Sequence, residues 1–573
     1  MIKGKLLFVL HSHLPYVISH GKWPHGMDWL NEAAAETYIP LLQAFNRLVS
    51  EGISPKISIG ITPVLAEMLT DNVFKAEFED YLDQKVEAAI HDATEFYRTG
   101  DERHGVAKMW ESFYRETRTY FLETLNKDIV GAFKELQDGG YIEIITCAAT
   151  HGYLPLLGED TAVQAQVKLG VETHKKHFGR QPKGIWLPEC AYRPAYEWDS
   201  PIEGFGGPKK RKGVEEFLSE NGIRYFMIDS HLLKGGEAVG VYEDRFEALK
   251  QLKVNFESQY APVDEDFTKT PHKLYYAASR EGIAPVAFFT RDPKSSLQVW
   301  SGEHGYPGDG NYLDFHKKHF PGGLQYWRVT SSQADLADKE LYLPEKIDGR
   351  IRENAQHFKE LVKEVCASDQ VVDGHIPMVC APFDTELFGH WWFEGPRFLY
   401  QVLKEVALDP EIEAATLAEY YEEFPPVDVV SVPEGSWGQG GFHWIWLNDM
   451  TRWTWKHVYE AEQLMTQAAQ KYSIRTDEPV ASLLKLLARE LVLLESSDWQ
   501  FLISTIAAQD YAEMRFTNHF SDFKKVLGLL EKAANGEALS DTENEAVKDI
   551  SERDALFEHI NPVWWKELEF PIL

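Results

Sequence analysis

Short apolar runs, several of them closed by a proline, a histidine or an acid, set the rhythm of this chain. Residues 5–10, 57–61, 141–146, 184–187, 225–228 and 286–290 are such runs, as is the one that opens at Met378. Runs this short and this continuous predict strands covered on both faces, the pattern of a parallel sheet. Helical spacing fills residues 32–50, 161–178, 214–220 and 349–368 between them. Strand then helix, repeated, predicts a parallel sheet with crossover helices that closes into a barrel.

Several stretches break that rhythm. Residues 72–137 are charged, aromatic and free of proline, and predict amphipathic helices inserted between barrel strands. Residues 232–274 are long, polar and weakly periodic, with Gly235, Gly236 and Gly240 ahead of Val241-Tyr242. A loop of that length inside a compact domain is expected to be a lid or a binding loop. Residues 297–309 read as a Gly/aromatic loop that exposes Trp300. Past Leu408 the chain reads as helical, with Leu483, Leu487, Leu491 and Leu494 spaced as the core of a bundle. The Gly/Trp-rich residues 435–446, which include Trp437 and Trp446, interrupt it and are expected to reach back to the cleft.

Composition narrows the function. A formal charge of -32 over 573 residues argues against nucleic acid or an anionic membrane as partner. The four cysteines (Cys147, Cys190, Cys366, Cys380) lack C-x-x-C spacing and predict reduced, buried thiols rather than a disulfide frame or a zinc knuckle. The apolar N-terminal run is too short for a signal peptide and no stretch reaches the length of a membrane span, so a cytoplasmic protein is expected. The 17 Trp, 25 Tyr and 32 Phe must mostly fill cores, yet many stand beside Gly, Pro and acids, where rings stack on sugars.

Two carboxylates carry the candidate chemistry. Glu189 follows Trp186-Leu187-Pro188, and Asp384 follows Ala381-Pro382-Phe383. Each stands where a strand gives way to a loop, the place where α/β barrels keep catalytic groups. Two such acids in aromatic surroundings point to glycosidic bond chemistry. His11, His13 and His151 also stand at strand ends. The His11-x-His13 pair has three readings, namely a metal site, hydrogen bonds to substrate, or a structural role. Trp23 and Trp29 are placed to wall a cleft.

In order along the chain, His11-Ser12-His13-Leu14-Pro15, Ala149-Thr150-His151-Gly152-Tyr153-Leu154-Pro155, Trp186-Leu187-Pro188-Glu189, Ala381-Pro382-Phe383-Asp384-Thr385-Glu386-Leu387-Phe388-Gly389-His390 and the Trp437 loop resemble the five signature regions of glycoside hydrolase family 57. Within it the chain is most similar to the 1,4-α-glucan branching enzymes and the related α-amylases. The resemblance implies an incomplete (β/α)7 barrel from residues 1–71 and 138–407, an inserted helical domain over 72–137, and a C-terminal helical domain over 408–573 that helps form the cleft. It implies a retaining reaction without metal or cofactor, with Glu189 as nucleophile and Asp384 as general acid/base, a pair that retention wants roughly 5 Å apart. Tyr242 matches the lid tyrosine of the branching enzymes. His11, His13, Trp23, Trp29, His151, Trp186, Arg193, Trp300, His390, Trp391, Trp437 and Trp446 are the expected contacts to an α-1,4-glucan, which serves as both donor and acceptor. Hydrolytic α-amylase or 4-α-glucanotransferase activity is the near alternative. A metal-dependent deacylase and a non-catalytic glucan-binding protein are the distant ones.

Overall fold

A computed structural model describes residues 2–236, 238, 246–256, 264–301, 305–331, 333–369 and 375–571. Its centre is a set of parallel strands: β1 (Gly4–Ser12), β2 (Ile57–Ile61), β3 (Ile142–Cys147), β4 (Ile185–Trp186), β5 (Tyr225–Ile228), β6 (Ala287–Thr290) and β7 (Met378–Asp384). Every residue of β1, β2, β5 and β6 is buried, which is why these strands read as unbroken apolar runs. Pairing runs β7-β1-β2-β3-β4. A single parallel bridge, Gly184 to Tyr225, passes from β4 to β5, and another, Arg291 to Cys380, joins the end of β6 to β7. With β5 and β6 paired in parallel, the circuit returns to its start through these two thin seams. This is the incomplete (β/α)7 barrel. An eighth parallel strand, β8 (Ile412–Ala414), comes from beyond residue 407 and lies beside the first residues of β1.

Crossover helices connect these strands. They include α1 (Ile39–Ser50), α2 (Ile129–Asp138), α3 (Asp160–Phe178), α4 (Val214–Glu220), α5 (Pro293–Trp300) and α6 (Ile347–Ser368). The charged insertion forms two long helices, Asn72–Thr99 and His104–Thr119, packed side by side. The end of that stretch, α2, packs instead against β3, α3 and the helix Pro63–Thr70. The stretch expected as one long loop, residues 232–274, contains the helix Glu247–Phe256. Trp300 also departs from expectation, because it ends α5 and is only 4% exposed. The reason is local: Asp292 caps α5 by accepting from the Ser295 amide, and Pro293 begins it. Beyond residue 450 the helices Arg452–Tyr472, Val480–Leu494, Asp498–Thr505 and Gln509–Ala534 form a bundle, and all four leucines named above are buried in it. The four cysteines are buried and unpaired. No described helix is long and apolar enough to cross a membrane.

Candidate active site

A cavity of about 980 Å3 opens over the C-terminal ends of the strands, and Glu189 and Asp384 both face it. Asp384 is the last residue of β7 and lies in register with His11 of β1, so rigid sheet pairing sets its height. Glu189 is held differently. Pro188 ends β4, and Glu189 and Cys190 then adopt left-handed backbones with φ of 59° and 48°. Such values are rare for residues with a side chain and persist only where surroundings enforce them. Here the Cys190 amide donates to the Leu187 carbonyl at 2.8 Å, and the Trp437 amide donates to the Glu189 carbonyl at 3.1 Å. The Trp437 indole N–H also donates to Glu189 Oε2 at 2.7 Å.

The electrostatics of this pair follow from that packing. Burial pushes the Glu189 carboxyl up to about 8 against the pull of the Trp437 N–H, and the charges of Asp384 and Asp498 push in the same direction as burial. Glu386, buried behind Asp384, is likewise raised to about 8 by burial, while the Tyr38 hydroxyl donates to its Oε1 at 2.5 Å. Tyr38 ends a π-helical turn, Ala34–Tyr38, in the helix that follows β1. That turn aims Glu36, Thr37 and Tyr38 at the stretch after Asp384.

The three histidines form one stack. His13 lies 4.0 Å from His151, ring centre to ring centre, and His11 lies on Trp186 at 4.5 Å with planes 5° apart. His11 Nε2 and His151 Nε2 are 3.0 Å apart. Burial, then the neighbouring rings, holds both imidazoles well below the ordinary histidine range, so they are neutral partners that give or take a hydrogen bond. Their orientation is set from far along the chain. His151 Nδ1 meets Ser497 Oγ at 2.8 Å, and His13 Nε2 meets the Asp498 carboxylate at 2.9 Å. Burial alone would raise Asp498, but His13 outweighs it and keeps the group at about 2. Ser496 pairs with Gly152 through a β-bridge, so residues 496–498 clamp the loop after β3 as well as the rings.

Of the other expected contacts, Trp300, Trp391 and Trp437 line the cavity with the histidines. Trp186 supports it from one layer beneath, between His11 and the edge of Trp437. Five are placed elsewhere. Trp23 is 72% exposed, and Trp29 packs on His25 and Tyr511. Arg193 is fully buried 3.7 Å from Asp160, where burial and Arg211 lower it to about 10. His390 is tied to Glu36 at 2.8 Å, and Trp446 is buried against Tyr153. Tyr242 lies outside the described residues. Asp498 and Glu386 are wall residues that the sequence reading did not single out. The polar break Ser496-Ser497-Asp498 between two apolar helices was the available signal for the first.

His13, His151 and Asp498 bring ligand atoms within 4.8 Å of one another, as do His11, Cys147 and His151. In the first group, however, both His13 nitrogens are engaged, one by Thr62 Oγ1 and one by Asp498, and both His151 nitrogens by His11 and Ser497. In the second, burial drives the Cys147 thiol well above its ordinary value, opposite to what a thiolate ligand needs.

Comparison with known proteins agrees with this geometry. The profile described as "1,4-alpha-glucan branching enzyme, C-terminal" matches residues 457–565. A 1,4-alpha-glucan branching enzyme of Thermococcus kodakarensis is 43% identical over 558 residues, 97% of this chain and 78% of the relative. The crystal structure of a family 57 branching enzyme from Pyrococcus horikoshii superposes with a TM-score of 0.87 at 40% identity, covering 100% of this chain and 98% of the other. The α-amylase AmyC of Thermotoga maritima superposes at 0.78 with 28% identity, over 99% of both chains. The profile described as "Glycosyl hydrolase family 57" spans residues 7–321, from the first barrel strand to beyond β6. With strand-end acids, stacked histidines and barrel all in place, the chain belongs to glycosyl hydrolase family 57.

Proposed function

We propose that the protein is a 1,4-α-glucan branching enzyme, and that Glu189 and Asp384 perform a double displacement. The observation that carries the reading is the pairing of these two strand-end acids in one cavity, with Glu189 raised far enough for the pair to hold a proton at neutral pH. Retention requires that single proton. In the reactive complex that proton has passed to Asp384, leaving Glu189 ionised to meet the positive charge that develops at the anomeric carbon in the transition state. Glu189 then attacks that carbon while Asp384 gives a proton to the departing glucan oxygen, breaking one α-1,4 bond and forming a glucosyl ester. In the second half Asp384 takes the proton of an incoming 6-hydroxyl, whose oxygen displaces Glu189. An α-1,6 branch results and both acids return to their starting states.

The other groups position the sugar. His11 and His151, neutral and rigidly stacked, suit hydrogen bonds to the hydroxyls of the residue under attack, and Trp437 holds the nucleophile while walling the site. The relatives support the reading, including the Thermococcus kodakaraensis branching enzyme whose structure holds glucose. The product is a glycogen-like polymer made in the cytoplasm. The similarity to AmyC supports one alternative, hydrolysis in place of transfer.

The deciding experiment incubates the protein with amylose, counts α-1,6 linkages by debranching, and counts new reducing ends beforehand. Many branches with few reducing ends are expected. Abundant reducing ends without branches would identify an amylase, and altered chain lengths with neither would identify a 4-α-glucanotransferase. We also assign Tyr242 as the lid tyrosine, so Tyr242→Ala should lower branching more than hydrolysis.

A further inference from the structure

The cavity has one wall that the catalytic groups do not account for. Residues 313–316 form one part of it and residues 333–339 the other. A buried ion pair ties the two parts together: Lys339 Nζ lies 2.6 Å from Asp314 Oδ2, with side chains 9% and 2% exposed. Asp314 also accepts from the amides of His316 at 3.0 Å and Lys317 at 2.7 Å, and its own amide donates to the Trp327 carbonyl. Lys339 makes a second bond, to the Val329 carbonyl at 3.1 Å. So many bonds on one buried pair fix the wall's position rather than leave it a loose loop.

Among polar lining residues such as His316, Gln333 and Asp335, this wall presents two large apolar side chains to the cavity. Phe315 is half-buried and rests edge-on against His390 at 5.3 Å, and Leu336, also on the lining, is 52% exposed. Trp391 stands in the lining beside them. Phe315, Leu336 and Trp391 thus give one cavity several apolar surfaces, which suit the apolar faces of glucose rings.

The wall's position tells which sugar chain it serves, and here the inference rests on the double displacement proposed above. Trp391 follows Asp384 through one tight turn, with its amide donating to the Glu386 carbonyl at 3.1 Å. Phe315 reaches that same stretch through His390. The wall therefore belongs to the side of the acid. The other side, with Trp437 and His151, belongs to Glu189. The glucan that leaves, and the glucan that arrives with its 6-hydroxyl, must both approach the acid. We propose that Phe315 and Leu336, on the wall stapled by Asp314 and Lys339, form the platform for the acceptor α-glucan and set the ratio of transfer to hydrolysis.

The test compares Phe315→Ala, Leu336→Ser and the double variant with the parent protein on amylose. Total bond cleavage is followed by loss of iodine colour, transfer by α-1,6 linkages, and hydrolysis by reducing ends. The expected result is a fall of tenfold or more in branches per bond cleaved, with reducing ends per bond cleaved increased. Phe315→Trp should retain the parent ratio. An unchanged ratio of branches to bonds cleaved would overturn the proposal. Leu336 is exposed enough that its substitution tests the point even where Phe315→Ala does not fold. A parent protein that makes no branches but transfers α-1,4 segments to labelled maltotriose refutes branching alone, and the same variants must then lower transfer per bond cleaved. A parent that only hydrolyses refutes both.

Discussion

Replacing Glu189 by glutamine should remove activity and stabilise the protein, by an amount that depends on pH in a defined way. The side chain is only 13% exposed, and its carboxyl is raised from 4.5 to about 8 by burial first and by Asp384 and Asp498 next. At about 1.4 kcal/mol per unit of pH, the ionised form costs the folded state about 5 kcal/mol. The sign follows from proton counts. Below 4.5 the group is protonated in both the folded and the unfolded chain, and no penalty exists. Between 4.5 and 8 the unfolded chain has released a proton that the folded chain retains, so stability falls as pH rises through that window. Above 8 the loss is complete. In the Glu189→Gln variant the amide cannot ionise, yet its carbonyl still accepts from the Trp437 indole. For a chain of 573 residues, an unfolding entropy of about 2.1 cal/mol/K per residue converts about 5 kcal/mol into about 4 °C. Differential scanning calorimetry of both proteins from pH 4.5 to 9 should show Tm values that diverge toward high pH, with the variant about 4 °C higher at the alkaline end. Branching activity should drop by roughly 10^4-fold or more. A Tm difference independent of pH would refute the claim that this carboxylate is held in place at the expense of stability.

Three further outcomes are expected. Trp437→Phe removes the N–H that holds the Glu189 carboxyl down; the alkaline limb of kcat/KM, near pH 8 in the parent, should move upward while kcat/KM falls about 10- to 100-fold, and a fall with an unmoved limb would separate Trp437 from the ionisation. Asp498→Asn weakens the hold on His13 and should lower kcat about 10-fold or more with little change in KM, whereas full activity would show that the histidine stack needs no external clamp. Gly389→Ala would set a methyl carbon 1.9 Å from the Glu36 carbonyl oxygen at a φ of +128°, so a lower Tm and reduced activity together are expected from scanning calorimetry and the amylose assay.

The acids were legible in the sequence because strand-end chemistry is local. An apolar run, a proline and a carboxylate mark the top of a strand wherever the strand goes, and Glu189 and Asp384 stand there. The β1 register that sets Asp384 opposite His11 was less accessible, since it joins residues far apart in the chain. Trp300 was misplaced because its neighbouring glycines outweighed the Asp292-Pro293 helix start a few residues earlier. Trp23, Trp29 and Trp446 show the limit of reading aromatic residues beside Gly and Pro, because residue type says nothing about which side of a loop faces the cleft. Arg193 follows Glu189 closely in sequence but turns away with the chain and is swallowed by the core. Leucine spacing predicted the C-terminal helices, yet no periodicity could show that the break between two of them enters the barrel.

That clamp of residues 496–498 on His13 and His151 bears on how the protein is made. A ribosome delivers the barrel strands first, through Ala414, and domains begin to fold in that order. A nascent barrel can hold Glu189 and Asp384 before Ser497 and Asp498 have been synthesised, but its histidines have no clamp and the cleft lacks part of its wall. The active site is therefore complete only once residues 496–498 have been made and the C-terminal helices have docked.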